Sequence, residues 1–128
     1  MTLEYNHRDN TPTDLQTVPA EMQVAETILE QLGGHRFMAM TGARCFVGDW
    51  RALRFRLPGT GGFVRGGINF VRITLNDMDT YDVEFIRLRS VTARRHVEEF
   101  EVVAAHDGIY ADMLCEVFES ETGLRTSL

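Results

Sequence analysis

Arg51-Ala52-Leu53-Arg54-Phe55-Arg56-Leu57 alternates apolar and charged residues, and this alternation decides the fold. Successive side chains of a strand point to opposite faces, so Leu53, Phe55 and Leu57 share one face and Arg54 and Arg56 the other. A helical period would scatter the same residues around an axis. Ile68 to Leu75 repeats the pattern, with Val71, Ile73 and Leu75 inward and Phe70, Arg72 and Thr74 outward. Between the two, Pro58-Gly59-Thr60-Gly61-Gly62 and Arg65-Gly66-Gly67 read as turns. Asn76-Asp77-Met78-Asp79 turns the chain again, into a strand over Tyr81–Arg89. That strand is apolar at Tyr81, Val83 and Phe85, but Ile86 and Leu88 fall on the opposite face, which predicts cover on both sides at its far end. Residues 98–106 make a last strand, closed by His106-Asp107-Gly108, and Phe37-Met38-Ala39-Met40 reads as a short additional one, broken by Thr41-Gly42-Ala43.

Two helical stripes frame these strands. The first starts at Thr17-Val18-Pro19, with proline suited to the first helical position. It carries Val24, Ala25, Ile28, Leu29 and Leu32 on one face and stops at Gly33-Gly34. The second comprises Tyr110, Leu114, Val117 and Phe118 and ends at Gly123. The order predicts an α+β fold: an N-terminal helix, a four- to five-stranded antiparallel sheet and a C-terminal helix. Residues 1–16, polar and without an apolar period, read as a flexible arm, and 17–128 as one domain. A chain of 128 residues, 44% apolar and 25% charged, suits a single globular core. A small open sheet leaves an edge strand to be covered, so a homodimer is expected.

Neither a run of about 18 apolar residues nor a secretion signal is present, so a cytoplasmic protein without membrane contact is expected. Cys45 and Cys115 have no metal or redox spacing and fit a reducing compartment. All thirteen basic residues are Arg. The absence of Lys excludes a Walker-type phosphate loop, Schiff-base chemistry and any nuclease centre that needs Lys beside its carboxylates. Ser90, Ser120 and Ser127 lie in no nucleophile elbow, and His7, His35, His96 and His106 in no ligand spacing. Asp77, Asp79, Asp82 and Glu84 are the best metal candidates. An EF-hand loop begun at Asp77 nevertheless fails, because Asp82 and Leu88 stand where Gly and Glu are required. The plainer reading is an Asp-rich turn leading into a solvated strand edge. Cys45 follows Arg44 and reads as a small buried residue. The expectation is a protein that is not an enzyme and carries no cofactor.

Charge is segregated along the chain. Residues 1–30 hold six acids against Arg8, for −5; residues 31–97 hold eleven Arg against five acids, for +6; residues 98–128 hold eight acids against Arg125, for −7. The basic middle coincides with the alternating strands. Arg54, Arg56 and Arg72 surround Phe70 on the outward face, with Arg51 and Arg65 at strand ends and turns. Cations for phosphates and a ring for bases are what single-stranded nucleic acid requires. Alternatively, a terminal helix covers this face and pairs the Arg with Glu21, Glu26, Glu116 and Glu119. The acidic ends support a second function: mimicry of nucleic-acid charge toward a basic host protein, with Glu116, Glu119 and Glu121 as the contact flank.

Leu32-Gly33-Gly34-His35-Arg36-Phe37, Met40-Thr41-Gly42-Ala43, Ile73-Thr74-Leu75-Asn76, Tyr81-Asp82-Val83-Glu84-Phe85, Gly108-Ile109-Tyr110-Ala111-Asp112 and Phe118 through Thr122-Gly123-Leu124 carry a resemblance. Over residues 22–128 the chain resembles a group of small uncharacterised proteins of bacteriophages, plasmids and other mobile elements. Such proteins often have Lys in the hairpin where this chain has Gly61-Gly62 and Arg65. The resemblance implies action on nucleic acid or on host defence, as by an anti-CRISPR-like inhibitor or DNA mimic. It carries over no catalytic residue.

Overall fold

The structure, a computed structural model, describes residues 4–5, 20–58, 64–92 and 97–126. The predicted arm and the residues around Pro19 lie largely outside them. In chain order the elements are β1 (Glu4–Tyr5), α1 (Ala20–Leu32), α2 (His35–Thr41), β2 (Arg44–Asp49), β3 (Ala52–Arg56), β4 (Phe70–Leu75), β5 (Tyr81–Thr92), β6 (Val97–Ile109) and α3 (Leu114–Thr122). Strands β2 to β6 form an antiparallel meander in chain order, and the two-residue β1 adds to β2 in parallel. The expected α+β architecture is present, with one helix and one long strand more than the sequence reading placed.

The extra helix is α2. Its apolar run was expected as a strand, but four consecutive apolar residues fit a buried strand and a buried helical turn equally well. Met and Ala favour helix, and no β-branched residue opposes it between Arg36 and Met40. Glycines bound it. Gly34, at φ +60°, accepts no side-chain contact at its Cβ position, and its N–H donates to Leu29 O at 2.9 Å to finish α1. Gly42, at φ +74°, ends α2, and a Cβ there would meet Pro58 Cγ at 2.8 Å. Phe37 is thereby turned fully into the core.

The strand missed from the sequence is β2. A bulge interrupts its register between Arg44 and Val47, with Cys45 at φ +57°, so apolar and polar residues do not alternate along it. Cys45 is exposed, not buried as expected, because the bulge turns it out of the ladder. At the other end of the sheet β6 runs through His106 to Ile109; a second irregularity absorbs Asp107 and Gly108, which were expected to close the strand. Tyr110, expected on the α3 stripe, precedes that helix and is exposed; a 3-10 turn over Ala111–Met113 separates them.

All three helices contribute buried apolar residues to one cluster on one face of the sheet, with Leu53, Phe55, Val71, Ile73, Tyr81, Val83 and Phe85 from the strands. Phe118 of α3 sits at its centre, with ring centroids 5.0 Å from Phe37, 6.3 Å from Phe55 and 6.4 Å from Phe85. Tyr81 reaches the edge of this layer, where its hydroxyl donates to Gln31 Oε1 at 2.8 Å and burial pushes its pKa up. Among the described residues, no helix is long and apolar enough to cross a membrane.

Candidate nucleic-acid interface

With the helices gathered on one side, the strand residues of opposite parity form the other face. Cross-strand partners share a face, so the register can be read across it. One row runs Arg44, Arg56, Phe70, Ile86, Val102; the next runs Val47, Arg54, Arg72, Glu84, Ala105. Arg44 stands directly opposite Arg56, and Arg54 directly opposite Arg72. Like charges directly opposed on a sheet are destabilising by some tenths of a kcal/mol each. The fold therefore concentrates four guanidinium groups on one corner at some cost.

Acids temper the second row. Arg72 donates through Nε, at 2.7 Å, and through Nη2 to Glu84 Oε1, and Arg54 Nη2 lies 3.7 Å from Asp49 Oδ2. Arg54 Nε is buried without a hydrogen-bond partner. The first row ends on the exposed Arg44 and Arg56 at one side, with the half-buried Phe70 next to them. The alternative in which a terminal helix covers this face is overturned for α1 and α3, since both pack on the opposite side.

Of the residues singled out from the sequence, Arg54, Arg56, Phe70 and Arg72 come together. Arg51 and Arg65 do not join them. Arg51 occupies the two-residue β2–β3 turn at φ +55°, where its side chain donates to Leu75 O at 3.2 Å and Asn76 O at 2.9 Å. Arg65 donates to Ser120 O at 2.8 Å beside α3. Both guanidinium groups thus hold backbone carbonyls together. Arg44 was missed because β2 was missed; the apolar pair Phe46-Val47 between Gly42 and Asp49 was the available signal.

The acidic flank is dispersed. Glu116 is exposed, Glu121 lies 3.5 Å from His106 Nε2, and Glu119 Oε2 accepts Thr126 N–H at 2.8 Å and Thr126 Oγ1–H at 2.9 Å. Those Thr126 bonds hold the Glu119 carboxyl below its ordinary pKa. A depressed carboxylate contributes stability above its unfolded value and loses it as pH falls through the folded one. The stability gap between wild type and Glu119→Gln should therefore be present at pH 7 and close in acid below about pH 4, as urea titrations at several pH values would show. An equal gap at pH 7 and pH 2.5 would refute the role of that charge.

Asp77 and Asp79 are exposed in the β4–β5 turn, Asp82 accepts from Asn76 Nδ2 at 2.9 Å, and Glu84 is held by Arg72. Among the described residues, no three His, Cys, Asp or Glu side chains converge in a metal-binding group. His7 and His96 lie outside those residues. A shallow pocket of about 370 Å³ opens where α1 meets α2 and α3, lined by Gln31, Leu32, His35, Arg36, Cys115 and Thr126. Cys115 Sγ–H points to Leu32 O at 3.4 Å, tying α3 to the end of α1. No protein-family model, curated protein or solved structure matches the chain.

Proposed function

We propose that this chain is a non-enzymatic accessory protein of a phage or other mobile element that binds single-stranded nucleic acid on the outer face of its sheet. The observation that carries the reading is the one-sided helix layer, which leaves Arg44, Arg54, Arg56 and Arg72 grouped around Phe70. Guanidinium groups neutralise phosphates and release counterions, and a phenyl ring offers a sequence-tolerant stacking surface. The free thiols of Cys45 and Cys115 suit the cytoplasm. The thirteen-residue β6, at the sheet edge, is the strand through which a homodimer would pair.

Fluorescence anisotropy at low salt is the test. Labelled single-stranded oligonucleotides should bind at micromolar protein, with log K falling against log salt at a slope of about −2 for about three neutralised phosphates. Arg54→Ala with Arg56→Ala should weaken binding by roughly tenfold or more. Absence of binding to single- and double-stranded oligonucleotides alike would discard the reading. The net −7 of residues 98–128 and the exposed Glu116 favour a second one, an inhibitor of a basic host protein. Recovery of such a partner from host lysate, abolished by charge reversal at Glu116, Glu119 and Glu121, would establish that reading instead.

A further inference from the structure

Every second connection of the meander comes to the same end of the sheet. Asp49 pairs with Ala52, Ala52 with Thr74, Leu75 with Tyr81 and Tyr81 with Ile109, so the β2–β3 turn, the β4–β5 turn and the segment leaving β6 lie side by side. Each carries a large apolar side chain into water. Trp50 is 58% exposed, Met78 82% and Tyr110 64%, and Met113 is exposed just beyond. With strands about 4.8 Å apart, the points where the first three attach span roughly 17 Å of rim. Single apolar residues on a surface are ordinary, but Trp, Tyr and Met are the types that concentrate in protein interfaces. The turns that bear them are also braced together. Arg51, beside Trp50, donates to Leu75 O and Asn76 O, and Leu75 N–H donates back to Arg51 O at 2.8 Å. Asp82 Oδ1 accepts both Asn76 Nδ2 and, at 3.4 Å, the Gly108 N–H. Turns held in this way lose little freedom when a partner binds.

We infer that this end of the sheet docks a protein that presents an apolar surface ringed by Lys or Arg, as a basic amphipathic helix does. Charge selects that occupant. Residues 50–51, 76–80 and 107–113 hold Asp77, Asp79, Asp107 and Asp112 against Arg51, for −3. All four carboxylates are exposed, and none is ion-paired among the described residues. The Arg51 guanidinium is turned onto its two carbonyls. Asp77 and Asp79 flank Met78, and Asp107 and Asp112 bracket Tyr110. This arrangement repels a polyanion and repels a second copy set face to face, and it attracts an apolar partner with a cationic rim. Trp50 and Tyr110 are the anchors that carry most of the binding, and the carboxylates steer the approach. The site is separate from the outer face of the sheet and from the α3 flank of Glu116, Glu119 and Glu121, so it stands whether or not the outer face binds an oligonucleotide.

Trp50 is the chain's single Trp, so its emission reports from the site itself. The full chain at low salt is titrated with a Trp-free synthetic helix of Leu and Lys, apolar along one face. The emission should shift to shorter wavelength and saturate at micromolar peptide. A scrambled peptide of the same composition, without an apolar face, should bind roughly tenfold more weakly. Met78→Ala and Tyr110→Ala should each weaken the amphipathic peptide about fivefold or more. Asp77→Asn with Asp79→Asn should weaken it several-fold and flatten its salt dependence. These side chains are exposed and Asn tolerates the φ +60° of residue 79, so thermal melts should match wild type. Binding without a shift in Trp50 emission overturns the site, as does binding that Met78→Ala and Tyr110→Ala leave unchanged. If charge reversal at Glu116, Glu119 and Glu121 releases the peptide while the rim variants do not, basic partners belong to the α3 flank instead. Equal affinity for the scrambled peptide leaves only non-specific charge attraction and overturns the docking site, and so does no binding of either peptide.

Discussion

Phe118→Ala should destabilise the fold by about 3–5 kcal/mol, the cost of deleting a fully buried phenyl ring and leaving a cavity. The loss falls at the high end because Phe118 is in ring contact with residues from three other elements, Phe37 of α2, Phe55 of β3 and Phe85 of β5. Those rings are themselves fully buried, so the cavity left would be lined by packed core side chains. A urea titration monitored by circular dichroism should show a large drop in midpoint with little change in slope. Phe118→Leu, which keeps most of the volume, should recover much of the loss. If Phe118→Ala costs under 1 kcal/mol, about what a surface change does, the ring cluster does not hold the layers together.

Asn76→Ala should follow, at about 2–3 kcal/mol. Its side chain organises the β4–β5 turn: Oδ1 accepts Met78 N–H at 2.8 Å and Thr80 N–H at 3.2 Å, and Nδ2 donates to Thr80 Oγ1 at 2.8 Å and Asp82 Oδ1 at 2.9 Å. Alanine leaves these groups without that partner, the buried Thr80 among them, in a turn in which Asp79 already adopts φ +60°. Asn76→Asp keeps the accepted bonds and loses the donated ones, so its stability should fall between wild type and Asn76→Ala. The order of the three unfolding midpoints is the check; an Asn76→Ala midpoint equal to wild type would remove the turn as a source of stability. The same turn sets the register that puts Arg72 opposite Glu84 and Phe70 opposite Ile86. The outer face inherits its layout from it.

The legibility of this fold in the sequence follows its periodicities. Leu53-Arg54-Phe55-Arg56 and the run from Phe70 to Leu75 alternate without interruption, and their faces came out as read. Ala25, Ile28, Leu29 and Leu32 likewise pack inward at helical spacing. Where a period was too short or broken, local reading failed. Four apolar residues could not separate α2 from a strand, and the Cys45 bulge hid β2 and with it Arg44. The site was legible to the same extent. Alternation assigned Arg54, Arg56, Phe70 and Arg72 to one face, but it could not tell that Arg51 and Arg65 spend their donors on Leu75, Asn76 and Ser120 carbonyls, because those contacts join residues 24, 25 and 55 positions apart. Nor could it tell on which side α3 docks, since either face of the meander offers apolar residues.

The order of the chain has a consequence during synthesis. The meander from β2 to β6 is built from sequential neighbours, so its pairings can form as the polypeptide is made, at roughly 5–20 residues per second. Phe118, however, arrives after every ring it touches. Until α3 leaves the ribosome, Phe37, Phe55 and Phe85 lack their shared lid and the part of the sheet's inner face that α1 and α2 do not cover stays wet, the kind of transiently exposed apolar surface that makes an unfinished polypeptide prone to aggregate.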